Sequence, residues 1–372
     1  MLNSTTIDII KSTVPVLEEK GVEITKRFYQ LLFESHPELL NIFNHANQQK
    51  GRQQAALANT VYQAANHIDK LETILPAVKQ IAHKHRSLGI KPEHYPLVGE
   101  NLLLAIQQVV GLQADDPIIK AWAEAYGVIA DVFISVESEM YQQAQTQPGG
   151  WSGFRNFIVD RKVKESEVIT SFYLIPEDGK AIASYTPGQY ISVKIAIPGE
   201  KYTQIRQYSL SDAPNGDYYR ISIKKETAIG SNPDGKISTY LHDFVNEGDV
   251  IPISVPAGDF ILDSDKTNPV VLISGGVGLT PLMSMLNHLS EKYPDRKITF
   301  IHAARNSHYH AMREHVINLV DQKPSISSYF IYDSPTEDDI QEARFQKEGH
   351  IDLEWLQSVL PDKEAEFYFC GP

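Results

Sequence analysis

The strongest constraint on how this chain can fold is a change of hydrophobic period near residue 148. Up to about Tyr141 the apolar residues recur at intervals of three and four and glycines are sparse, the pattern of amphipathic helices that pack their apolar stripes together. "QTQPGG" (145–150) ends that pattern, since proline and glycine interrupt a helix. Short β-rich runs follow, "QYISVKIAI" and "YYRISIKKE", separated by "TPG", "PNG" and "NPDG" turns. That spacing suits a small antiparallel barrel or sandwich. From Asn268 onward "PVVLISGG", "KITFIHAA", "SSYFIYD" and "AEFYFCGP" read as strands, with "TPLMSMLNHLSEK", "AMREHVINLVDQ" and "DLEWLQSVL" as helices between them. Such alternation implies a parallel, doubly wound sheet. The sequence thus predicts an all-α domain over 1–145, a linker at 146–150, an antiparallel β-barrel over 151–265 and an α/β domain over 266–372.

Charge and cysteine content narrow the function classes. A net charge of -13 argues against a nucleic-acid or anionic-membrane surface. The single cysteine, Cys370, excludes an internal disulfide framework and cysteine-rich metal sites, and suits a reducing cytoplasm. "MLNSTTIDIIKSTVP" has no signal-peptide apolar core, and no run approaches the roughly 18 apolar residues of a membrane span.

Within the helical region several polar residues fall on apolar faces. In "IAHKHRSLGI" (81–90) two histidines compete for attention. Val78, Ile81, Ala82 and His85 lie at i, i+3, i+4 and i+7, so His85 shares the buried stripe and His83 points away from it. A buried imidazole needs a hydrogen-bond partner or a metal. Trp122, Tyr126, Ala130 and Phe133 lead along one face to Glu137, and Tyr95 lies in line with Leu102, Ile106 and Val109. Gln53 aligns with Leu57 and Val61, and Tyr29 sits among Val22, Leu32 and Phe33. Each has an ordinary explanation alone, such as a core-edge tyrosine or a solvated glutamine. Five together in one small all-α domain point to a site.

A buried helical histidine with no cysteine nearby suits haem iron, which is held by one proximal histidine in globins. A carboxylate on its far ring nitrogen, here Glu137 steadied by Tyr95, gives the ring imidazolate character and favours chemistry on O₂ over storage. Tyr29 and Gln53 then serve the opposite face, with Leu57 and Phe43 as steric walls.

The remaining motifs suit a flavin and a nicotinamide. In "RQYSLS" (206–211) Arg206 can clamp a pyrophosphate, Tyr208 can lie flat on the isoalloxazine ring and Ser209 can bond its edge, with Gln207 between them. The same residues also read as an ordinary surface strand. Tyr190 in "PGQYISV" can pack on adenine or ribitol, and Ser238 in "GKISTYLHD" is a candidate N-cap at a phosphate-binding helix start. "LISGGVGLTPLMSML" (272–286) offers Gly275, Gly276 and Gly278, with Val277 and Leu279 between and after them, for close approach of backbone to a pyrophosphate. Thr280 is the expected cap of the following helix. This is not the GxGxxG fingerprint, and no acidic residue ends the next strand, "FIHAAR". Arg305 reads equally as a 2′-phosphate partner or a solvated residue, which leaves NADH and NADPH both open.

With these residues in place, the chain resembles the flavohaemoglobins over its whole length and in their domain order. "ITKRFYQLLFESHPEL" is similar to the family's B-helix segment, "IFNHANQQKGRQQAAL" to its distal entry with Phe43 at the haem-contacting phenylalanine, and "KHRSLGIKPEHYPLVGENLL" to its proximal stretch. By that resemblance His85 is the proximal iron ligand, Tyr95 and Glu137 the pair behind it, and Tyr29 and Gln53 the distal pair. It places Lys84 near the haem edge, where spacing alone reads a solvated lysine. "RxYS" with "GxxSxxLH" resembles the ferredoxin-reductase-type FAD module, whose second glycine-rich position is loosened here into "SNPDGK". "GGxGxTP" and "CGP" resemble its NAD(P) partner, with Cys370 facing the nicotinamide. The resemblance implies haem b, FAD and NAD(P)H, and a monomeric, NAD(P)H-driven nitric oxide dioxygenase that turns NO and O₂ into nitrate. The family continues for about one helix and one strand past "CGP", so the NAD(P) domain is expected to lack its usual C-terminal end. Two other classes remain: a haem-based gas sensor or O₂ carrier with a reductase module, and a flavin reductase whose helical domain carries no cofactor. The register yields a direct check. His85→Ala should abolish the Soret band of the purified protein, whereas His83→Ala should keep it.

Overall fold

The structure is a computed structural model that describes residues 2–43, 48, 50–228, 230, 233–360 and 364–372. Parts of "IFNHANQQKGRQQAAL" and of "SNPDGK" lie outside the described residues. By its contacts the chain groups into two compact units, Met1–Thr146 with Lys194–Arg206, and Gln147–Val193 with Gln207–Pro372.

The first unit is helical. Its main helices are Ser4–Ser12, Val14–Ser35, Arg52–Asn66, Leu75–Leu88, His94–Val110 and Pro117–Thr146. Their ends follow local chemistry. The Asn3 side chain accepts from Thr6 N at the first N-terminus, and Gly89 and Gly111 end two helices in the left-handed conformation, which costs a glycine little. Ile10, Leu17, Ile24, Phe28, Leu32, Leu102, Ile106 and Trp122 are all buried in one core, the stripe that the three-and-four spacing predicts. Lys194–Arg206 belongs here through Asn41, whose Oδ1 accepts from Thr203 N at 2.9 Å.

The chain also forms two sheets. The first comprises β1 (Phe154–Lys164), β2 (Ile169–Pro176), β3 (Tyr190–Ile195), β4 (Gln204–Ser209), β5 (Tyr219–Lys224) and β6 (Val250–Ser254). Their order is β4-β3-β6-β1-β2-β5, and a Leu210–Ile221 bridge links the end of β4 back to β5. Phe157, Phe172, Leu174, Ile191, Val193, Ile221 and Ile253 fill the interior. The second sheet comprises β7 (Val270–Gly275), β8 (Ile298–Ala304), β9 (Ile326–Tyr332), β10 (Lys347–Glu348) and β11 (Glu366–Cys370). It is parallel, in the order β10-β9-β8-β7-β11. A helical domain, then an antiparallel sheet, then a parallel sheet with helices are the classes expected.

Two features tie barrel and parallel sheet into one unit. Ile169 and Leu262 from the barrel side share a core with Leu272, Leu282, Met285 and Phe300. Asp212 supplies the polar link: its carbonyl accepts from Ser284 Oγ at 2.5 Å and its Oδ1 from Asn287 Nδ2 at 2.7 Å, while Arg220 Nη1 lies 3.3 Å from Oδ2. Among the described residues no helix is long and apolar enough to cross a membrane.

The parallel-sheet core holds two buried histidines. His302 donates to or accepts from Ser274 Oγ at 2.8 Å and leaves Nε2 without a partner. Its ring centroid lies 4.5 Å from that of His310, whose Nδ1 meets Tyr332 OH at 2.9 Å. Burial lowers both pKa values, that of His302 to about 4. A histidine held neutral in the fold but protonated in the unfolded chain stabilises fully above the ordinary value near 6.5, and that stability is lost as pH falls toward 4. The pH dependence of thermal unfolding between those values should therefore weaken by about one proton in His302→Gln.

Candidate functional site: a haem pocket and two nucleotide pockets

Three helices converge on His85. The Leu75–Leu88 helix ends at Gly89, with Ile90 N returning to His85 O at 3.0 Å. His85 Nδ1 lies 2.7 Å from Glu137 Oε1, and Tyr95 OH donates to the same oxygen at 2.6 Å. Glu137 is 3 % exposed, so two donors on one oxygen supply the charge-assisted bonds that a buried carboxylate requires. Burial, and then Glu137 itself, push the Tyr95 phenol well above its usual pKa, which keeps it a proton donor. With Nδ1 engaged, Nε2 is the ring nitrogen left for the cavity.

Tyr126, on the same helix as Glu137, donates to Tyr95 O at 2.6 Å. Gly99 makes room for it: a Cβ there would sit 2.5 Å from the Tyr126 ring. Tyr141 donates to Ile90 O at 2.6 Å, fixing the chain just after the histidine's helix. Residues 126, 133, 137 and 141 are spaced by seven and four, so one helix face carries Tyr126, Phe133, Glu137 and Tyr141.

On the cavity side of His85 lies a space of about 300 Å³, walled by Phe43, Leu57, Val61, Ile81, Val98, Trp122 and Phe133. Tyr29, Gln53 and Lys84 also line it. Tyr29 is 8 % exposed, with its ring edge-on to Phe43 at 5.8 Å. Burial raises its pKa, and a hydrogen bond with Gln48 pulls the other way. Gln53 Oε1 is buried with no partner, a cost that a ligand in the cavity would relieve. His83 does not line this cavity, as the register predicts, but it is half-buried rather than on the open surface. Among the described residues no three metal-ligating side chains cluster. A haem needs only one, because the porphyrin supplies the other equatorial nitrogens. One free imidazole nitrogen, an apolar cavity and an orphaned amide oxygen fit that group.

The flavin-motif residues occupy β3, β4 and the helix Lys236–Asp243. Tyr190 opens β3, its ring packed on Gly258, where a Cβ would come within 2.9 Å. In β4 Arg206 and Tyr208 share one face and Gln207 and Ser209 the other. Arg206 Nη1 donates to Ile205 O at 2.8 Å, and Gln207 is exposed. Ser238 is not the N-cap expected. That position belongs to Gly235, and Ser238 Oγ donates to its carbonyl at 3.0 Å while accepting from Glu226 N at 3.1 Å. Two residues into the helix its backbone is already helical, so the side chain serves the incoming loop.

At the end of β7, Gly275 and Gly276 line a cavity of about 640 Å³ with Ala304, Arg305, Asp333 and Cys370. Gly278 has a packing role instead: a Cβ there would lie 2.2 Å from Cys370 O. Thr280 is not a cap. It lies inside the helix Leu279–Lys292, and its hydroxyl donates to Val277 O at 3.1 Å. Val277 packs on the core and Leu279 is buried in it, so neither side chain faces the cavity. Burial raises the Cys370 thiol pKa. Asp333 and Ser274, which also line this cavity, carry no motif signal.

A helical unit with a histidine-centred pocket, joined to flavin-type and nicotinamide-type sheets, defines a haem-containing oxidoreductase of the globin–reductase class. The globin family matches residues 26–133, the oxidoreductase FAD-binding domain 156–261 and the oxidoreductase NAD-binding domain 272–372. A Bacillus cereus flavohemoprotein is 63% identical over 372 residues, 100% of this chain and 92% of the relative. A Malassezia yamatoensis flavohemoglobin solved with bound FAD and heme aligns with a TM-score of 0.85 at 25% identity, covering 100% of this chain and 92% of that one. The FAD/NAD-binding domain of a Vibrio cholerae nitric oxide dioxygenase aligns at 38% identity and a TM-score of 0.53 over 59% of this chain and 87% of that one. The chain belongs to the flavohaemoglobin family. Its cofactors are haem, FAD and a nicotinamide dinucleotide.

Proposed function

We propose that this oxidoreductase is a nitric oxide dioxygenase, with the balance 2 NO + 2 O₂ + NAD(P)H → 2 NO₃⁻ + NAD(P)⁺ + H⁺. The observation that carries this reading is the buried Glu137 carboxylate, bonded to His85 Nδ1 at 2.7 Å and Tyr95 OH at 2.6 Å. Haem held on His85 supplies a redox-active iron at which both gases can react. Glu137 keeps the His85 ring electron-rich and fixes its orientation, so that Nε2 is the donating nitrogen. Tyr95 holds Glu137 in place and, as a phenol, donates rather than competes for the imidazole proton. Tyr29 remains protonated inside the pocket and serves as a hydrogen-bond donor to charge that develops on oxygen there. Gln53 orients the same region through its amide. Phe43, Leu57 and Trp122 exclude water from the space while admitting small neutral gases.

The reductase half fits this chemistry. A nicotinamide delivers a hydride, haem iron takes one electron at a time, and a flavin converts between the two. Tyr190, Arg206, Gln207, Tyr208, Ser209 and Ser238 are the proposed FAD contacts. Gly275, Gly276 and Cys370 are the proposed nicotinamide-dinucleotide contacts, with Val277, Gly278, Leu279 and Thr280 shaping the turn through backbone. The likeness to the Vibrio cholerae nitric oxide dioxygenase domain supports the reading.

With NAD(P)H present, NO consumption should be much faster in air than under argon and should yield nitrate. Equal rates, or a product other than nitrate, would overturn the proposal. Tyr29→Phe should slow aerobic turnover about 10- to 100-fold, the effect of losing one hydrogen bond to a charged group.

A further inference from the structure

Haem carries two carboxylates that are charged at neutral pH and belong at the wet rim of an apolar cavity. Most polar groups on this cavity wall have other roles. His85 and Tyr95 bond Glu137, Tyr126 donates to Tyr95 O, and Tyr29 and Gln53 are the proposed hydrogen-bonding pair for a ligand in the pocket. A second lobe of about 140 Å³ shares Tyr29, His85 and Tyr95 with the main space, and the residues it adds are Phe28, Leu39 and one polar side chain, His94.

His94 is half-buried at the start of the His94–Val110 helix. The Lys91 backbone N–H donates to its Nδ1 at 3.1 Å. A nitrogen that accepts cannot carry the proton, so in the neutral ring the proton sits on Nε2. Among the described residues Nε2 has no hydrogen bond of its own. Burial lowers the His94 pKa, with Glu93 raising, Lys91 lowering and Glu38 raising it, so the ring is neutral at pH 7 and this tautomer prevails. Of the residues this lobe adds, His94 alone offers a polar N–H, beside the apolar Phe28 and Leu39, and such a donor matches a carboxylate.

We infer that His94 Nε2 donates a hydrogen bond to a haem propionate, and that His94 with Lys84 anchors the carboxylate edge of the cofactor. Lys84 is exposed on a flexible stem and acts as a point charge. His94, whose Nδ1 is held by the Lys91 N–H, would set the depth and rotation of the haem relative to His85.

The test is loss of haem from the ferric full-length protein to excess apomyoglobin, followed at the Soret band. His94→Leu should lose haem about tenfold faster than the unmodified protein, the effect of removing one charge-assisted hydrogen bond. His94→Gln, which keeps an N–H at similar reach, should recover most of the retention. Loaded with protohaem dimethyl ester, which lacks the carboxylates, the unmodified protein and His94→Leu should release the cofactor at the same rate. If His94→Leu retains haem as well as the unmodified protein, or speeds release of the ester as much as of haem, the inference fails and His94 is only a packing residue. An intact Soret band at time zero in each variant shows that His85 ligation itself is unchanged.

Discussion

The hydrogen bond between His85 Nδ1 and the Glu137 carboxylate is the contact on which the haem unit depends. A carboxylate that is 3 % exposed costs several kcal/mol to desolvate unless its lone pairs are met. Here both bonds reach one oxygen, from two different helices. Removing either donor leaves the carboxylate without its full complement, a loss on the order of 1–3 kcal/mol for one hydrogen bond to a buried charged group. The carboxylate thereby pins the Leu75–Leu88 and His94–Val110 helices to the Pro117–Thr146 helix. Tyr126 and Tyr141, on the same helical face, repeat the fastening through backbone carbonyls. In the proposed reading structure and electronics are one device: the bond that sets the ring's orientation would also set how strongly it donates to a bound iron.

The reductase unit relies on a half-buried polar hub. Asp212 meets Arg220, Tyr218, Ser284 and Asn287, and Asn287 Oδ1 in turn meets His315 Nε2 at 2.7 Å. These residues come from both the antiparallel and the parallel parts of the unit. A network that is fully met only in one docking geometry specifies that geometry more sharply than apolar contact alone. Gly278 adds a steric condition, since any side chain there would strike the backbone at Cys370. The dinucleotide cavity beside Cys370 is thus shaped by backbone packing as much as by contacts to a ligand.

Periodicity carried much of this in advance. A three-and-four spacing is a property of every residue in a helix, so it separates His85 from His83 and sets Glu137 on an apolar face without knowledge of tertiary contacts. The change of period at 145–150 likewise announces new architecture. Capping was less legible. Ser238 and Thr280 lie near helix starts in sequence, yet both already sit inside their helices, and the N-cap positions fall to Gly235 and Gly278. Leu279 lies in a cofactor motif, but its side chain is spent on the core. Asp212 and Gln48 sit in polar, turn-like stretches that look solvated, and their partners arrive from distant or later segments. His94 is illegible for the same reason: one Lys91 N–H defines its tautomer, and only folding places it beside His85.

We propose that Glu137 makes His85 a strong electron donor to haem iron. Resonance Raman measurement of the iron–histidine stretch in the ferrous protein tests it directly. Glu137→Gln preserves shape and a hydrogen-bond acceptor but removes the charge, so the stretch should move to lower frequency while His85 remains bound. An unchanged frequency in that variant would show that the Glu137 charge does not tune the iron–histidine bond.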